Sequence, residues 1–117
     1  MPHVVLNGNA DLDDIFNKFK GLLIRNDHGI LKTDNIYISR DKTAILIESL
    51  AIENGVKNSF FTLISKRNDG VVIRIYPGVE VDKTQGVKKI LAEAAKQLLG
   101  VLPELIIGET NLSDYLM

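Results

Sequence analysis

The chain has 117 residues, 45% of them hydrophobic and 25% charged, with a net charge of −1. That length suits one core, and those proportions exclude a disordered chain and an overall basic field aimed at nucleic acid or anionic lipid. The absence of cysteine removes disulfides, thiolate metal sites and cysteine nucleophiles together.

The expectation is one domain over residues 1–117. Met1 to Leu6 lacks the cationic stretch and long apolar run of a secretory signal. No apolar run approaches the roughly 18 residues that span a bilayer. The expected address is therefore the cytoplasm, with no membrane partner.

His3 to Leu6 reads as a short strand stopped by Asn7-Gly8-Asn9. From Asp11 the period changes: Leu12, Ile15, Phe16, Phe19, Leu22 and Leu23 recur at steps of three and four, the spacing of one helix face. Asn9 or Asp11 suits the cap, and the acids of the first turn suit the positive end of the helix. Asn26-Asp27-His28-Gly29 is turn chemistry, with Ile30-Leu31 as the possible start of another strand.

Three turns then punctuate runs of β-branched and aromatic residues: Asp41-Lys42, Asn54-Gly55 and Asp69-Gly70. Asn-Gly and Asp-Gly are strong hairpin signals, because a type I′ turn needs positive φ at both central residues. Asp41-Lys42 is the weaker signal and fits a four-residue loop. Counting outward from each tip places Ile38 opposite Ile45, Ile36 opposite Ile47, Ile45 opposite Ile64, and Ile64 opposite Ile75. These isoleucines share one face, with Phe60 and Ile73 beside them. A one-residue slip would mix them with arginine or serine.

After Pro77-Gly78 a second helix is expected from near Asp82, with Asp82 and Gln85 at capping-box spacing. Its apolar stripe is Val87, Ile90, Leu91, Ala94, Leu98 and Leu99. Gly100 is the expected end, Glu104 to Ile107 a last strand, and Asn111 to Leu116 a turn that docks on the body. The order is β-α-β-β-β-β-α-β. The expected fold is α+β, a two-layer sandwich in which an antiparallel β-meander carries two helices packed on one face.

The other face would then carry Tyr37, Leu46, Leu50, Phe61, Leu63, Val72 and Tyr76, interleaved with Ser39, Glu48, Ser59, Ser65, Arg67 and Arg74. A sheet face in water normally shows more threonine, lysine and glutamate. Large bare apolar patches usually mark contact surfaces. Tyr37, Leu46, Leu50, Phe61, Leu63 and Tyr76 are thus the candidate interface of a homodimer or of a complex with a protein partner. The alternative is a cover supplied by the tail or by residues 26–34.

A second reading places a small-molecule pocket, enzymatic or not, between this face and the loops of His28 and Pro77-Gly78. Its polar groups would be His28, Glu48, Arg74 and Tyr76. A third stacks single-stranded nucleic acid on Tyr37, Phe61 and Tyr76, flanked by Lys57, Arg67 and Arg74; the slightly acidic balance weighs against it. Asp11, Asp13 and Asp14 lack the alternating ligands and glycine bend of a calcium loop, so no metal is expected. Gly78, Gly86 and Gly100 have no nucleotide-loop spacing, so no cofactor is expected. No catalytic residue stands out, and the chain reads as a non-enzymatic binding or assembly module.

Overall fold

The computed structural model describes residues 1–117. In chain order its elements are β1 (His3–Asn7), α1 (Leu12–Lys18), β2 (Leu23–Asn26), β3 (Gly29–Ile38), β4 (Ala44–Glu53), β5 (Val56–Arg67), β6 (Gly70–Ile75), α2 (Gln85–Val101) and β7 (Ile106–Thr110), then a 3-10 turn at Ser113–Tyr115. The strands form one sheet in the order β2-β3-β4-β5-β6-β1-β7, and every neighbouring pair is antiparallel. The protein is a mostly-sheet, antiparallel half-barrel with two helices, broadly α+β.

The register follows from the turns. Ile36 pairs with Ile47 and Ile38 with Ile45, and Ile45 pairs with Ile64. Asn54 and Gly55 have φ of 52° and 81°, the left-handed pair that a type I′ turn demands. The loop between Ser39 and Ala44 is held by Asp41, whose carboxylate accepts from the hydroxyls of Ser39 and Thr43 at 2.8 Å each. Those bonds hold the Asp41 carboxyl below its ordinary 3.8.

One pairing differs from expectation. Ile64 faces Ile73, not Ile75, because Asn68-Asp69 rather than Asp69-Gly70 forms the tip. The partner moves by two residues, so the face is unchanged. Gly70 is instead the first residue of β6, where an added Cβ would meet the Leu6 carbonyl oxygen at 2.0 Å. It is a glycine because β1 lies so close.

The meander has five strands rather than four. Residues 23–38 form a β2–β3 hairpin turning on Asp27-His28, and Asn26 Oδ1 accepts from the amides of His28 and Gly29 at 2.8 and 3.0 Å. α1 is shorter than its apolar spacing suggests. Asp11 caps it by accepting from the Asp13 amide, but Phe19 is already extended, with ψ of 129°. Gln97 of α2 clamps the next residue, accepting from the Lys20 amide and donating to its carbonyl. Phe19 and Leu22 reach the core from extended chain, not from a helix face.

Glu53 and Thr84 begin α2, not Asp82 with Gln85. Thr84 Oγ1 accepts from the Val87 amide, and Glu53 accepts from the Gly86 amide at 2.8 Å and from the Thr84 hydroxyl. The helix also runs through Gly100 to Val101. Open space surrounds Gly100, so nothing there forces an ending. β7 starts two residues later than expected, at Ile106.

The core joins Val4 and Leu6 of β1 with Ile45, Ile47, Ile64 and Ile73 of the meander, Leu12 and Ile15 of α1, and Val87, Ile90, Leu91, Ala94 and Leu98 of α2. α2 lies against β1, β3, β4 and β6, and α1 against β3, β4 and α2. Burying side chains of this size is worth roughly 1.5–3 kcal/mol each. The only polar side chains buried with them are Ser49 and Thr62. Their hydroxyls bond each other at 2.8 Å, and Ser49 also donates to the Ile47 carbonyl, which removes the penalty of leaving them unpaired.

Candidate functional site

Strand alternation sends Ile45, Ile47, Ser49 and Ala51 of β4 into the core and Leu46, Glu48 and Leu50 to the reverse. Cross-strand pairing extends that reverse face. One row is Glu48, Phe61 and Tyr76, and the next is Tyr37, Leu46, Leu63, Arg74 and His3. Five of the six expected interface residues therefore touch or adjoin across β3 to β6, with Leu50 two residues further along β4.

Neither expected internal cover lies over them. Leu112 is buried in the core, Tyr115 and Leu116 pack against it, and the 3-10 turn docks on α2. Residues 23–38 extend the sheet as a hairpin instead of folding across it. Tyr37, Phe61 and Tyr76 are 47%, 37% and 45% exposed, respectively. Leu63 is different. It is on this face yet only 6% exposed, flanked by Leu46 and Arg74, so it supports the patch from beneath. Val5 of β1 is buried in the same way.

The polar groups of the face divide into two sets. Tyr37 donates to Glu48 Oε2 at 2.5 Å, and Asn35 reaches the other carboxylate oxygen at 3.5 Å. The Glu48 carboxylate beside it holds the Tyr37 hydroxyl above its ordinary 10.0. Arg74 has no such partner. It takes part in none of the five ion pairs of the molecule, and its Nε is buried without a hydrogen bond. Its neighbour on β1, His3, faces Glu109 at 3.7 Å.

Glu48 and Tyr76 also line a hollow of about 520 Å³, joined by Leu50, Phe61, Lys32, Lys57 and by Val79 from the Pro77-Gly78 loop. His28 is not among them. It stands at the β2–β3 tip beside a separate hollow with Glu53, Gln85, Lys89 and Tyr115. The expected set of His28, Glu48, Arg74 and Tyr76 is thus divided: only Glu48 and Tyr76 line this hollow, Arg74 is on the same face outside it, and His28 is elsewhere. Lys57 lies here as the sequence suggests, whereas Asn35, Lys32, Val79 and the β1 residues His3 and Val5 join the face without a local signal. β1 is far from β6 in sequence, and its pairing is written in no local turn.

No group of three or more His, Asp or Glu side chains is arranged to hold a metal ion. No helix is long and apolar enough to cross a membrane. The chain matches no protein-family model, no curated protein sequence and no solved structure.

Proposed function

We propose that the protein is a non-enzymatic binding or assembly module that works through the uncovered face of its sheet. The reading takes residues 1–117 as one cytoplasmic domain, a two-layer sandwich whose helices share the isoleucine-bearing face. The observation that carries it is the exposure of Tyr37, Phe61 and Tyr76 above a floor of Leu46, Leu63 and Val72. Exposed aromatics over a packed aliphatic base are the composition of binding hot spots, where large rigid side chains gain most from leaving water. The carboxylate of Glu48 among these aromatics disfavours the phosphates of nucleic acid.

The test is affinity capture from an extract of the source cells with wild-type protein and with Phe61→Glu/Tyr76→Glu. Both positions are exposed, so the variant should keep its fold, checked by circular dichroism. Wild type is expected to retain a defined species, its own chain included, that the variant loses. Identical retention by the two proteins ends the reading.

A second reading rests on the hollow between Tyr76, Phe61, Glu48 and Val79. A small polar-aromatic metabolite seated there would raise the melting temperature by mass action. A thermal-shift screen in which no compound separates wild type from Tyr76→Ala rules it out.

A further inference from the structure

We infer that the occupant of the uncovered face is a second copy of the same chain, with Glu48 of each copy lying against Arg74 of the other. This rests on the reading of that face as a binding surface and adds the identity of the partner.

The fold leaves two charges on this face without ionic partners. Arg74 makes no ion pair, and its Nε is sealed from water without an acceptor. Glu48 is held by a phenol and an amide, not by a cation. A guanidinium half-withdrawn from water and left without an anion has its terminal nitrogens free to donate charge-assisted bonds to an incoming carboxylate.

The two side chains do not meet within one molecule. Glu48 is on β4 and pairs with Phe61, which lies opposite Tyr76. Arg74 is on β6 and pairs with Leu63, which lies opposite Leu46. They are therefore opposite corners of a patch two residue rows long and three strands wide. Strand spacing and rise put those corners roughly 12 Å apart.

That diagonal is what makes the patch fit itself. A two-fold axis in the plane of contact, crossing the midpoint of the Glu48–Arg74 line at a right angle, exchanges the two corners. Each Glu48 then lies over the Arg74 of the copy, twice, while the apolar centre formed by Phe61 and Leu63 meets its equivalent. A closed two-fold interface requires that when one residue touches a second, the second touches the first in return. One acid and one base at opposite corners of an apolar centre satisfy that condition. The net charge of −1 leaves two copies with no appreciable mutual repulsion.

The experiment uses sedimentation equilibrium on full-length wild type, Glu48→Arg and Arg74→Glu, singly and mixed. Wild type is expected to be a dimer. Each single reversal sets like charges against each other twice and should weaken dimerisation on the order of 10–100-fold. An equimolar mixture of the two variants restores opposite charges at both contacts, and should recover a dimer within about threefold of wild-type affinity. Recovery on mixing also shows that both variants are folded. A monomeric wild type overturns the inference, as does a wild-type dimer whose two variants fail to pair while each keeps its wild-type circular dichroism spectrum. Either outcome is distinct from failure of the broader reading, which is judged by whether Phe61→Glu/Tyr76→Glu changes what is captured.

Discussion

Glu53 is the last residue of β4, and both of its carboxylate oxygens are engaged at the first turn of α2, on the Gly86 amide and the Thr84 hydroxyl. A strand end thus caps a helix that begins 32 residues later, so no local capping pattern announces it. Gly86 belongs to the same arrangement: a Cβ there would come within 2.6 Å of the Glu53 carboxyl carbon. Glu53→Ala removes an anion from the positive end of a helix and frees two donors. It should cost about 1–2 kcal/mol of stability in urea unfolding. Glu53→Gln keeps an acceptor and should cost less than half as much; an unchanged stability in Glu53→Ala would show that the carboxylate is not the cap. Strand alternation put Arg74 and Glu48 on one face but did not decide which residues stand opposite them. The Asn68-Asp69 tip sets Arg74 opposite Leu63, whereas a tip at Asp69-Gly70 would have set it opposite Ser65.

Among the elements, the hairpins were the most legible and the helix ends the least. Asn54-Gly55 determines its own turn, because positive φ at two successive residues suits few other pairs. The apolar spacing of Leu12 to Leu23 reports burial correctly but not conformation. Phe19 and Leu22 reach the core from an extended segment fastened to Gln97, and spacing alone cannot tell that from another helical turn. Glycines in α2 and β6 should respond in opposite directions. Gly100→Ala falls within the helix with nothing in its way and should add about 0.5–1 kcal/mol. Gly70→Ala drives a methyl into the Leu6 carbonyl oxygen and should cost roughly 2–4 kcal/mol, since β6 and β1 must part. Thermal unfolding of the two variants reads both signs; a neutral Gly70→Ala would mean that β1 does not lie where the sheet puts it.

The whole molecule is one long sheet with its ends unequally protected. β4 and β5 are central, paired on both sides and overlaid by α2 contacts on β4, whereas β2 is a four-residue edge with Leu23 58% exposed. Amide hydrogen exchange should therefore be slowest at Ile45, Ile47 and Ile64, through global unfolding, and faster by several orders of magnitude across Leu23–Asn26, through local opening. Uniform protection along the chain would contradict this order. Alternation of apolar and polar residues and the turn dipeptides determined which side of the central strands is buried and which residues remain on the other side, though not the β2–β3 hairpin or the exact tip between β5 and β6, because strand period and turn φ are properties of neighbouring residues. The position of β1 between β6 and β7 and the docking of the tail on α2 rather than across the sheet were decided only by tertiary structure. Each depends on chain segments distant in sequence that meet to bury surface, and no local pattern encodes which distant segment will arrive.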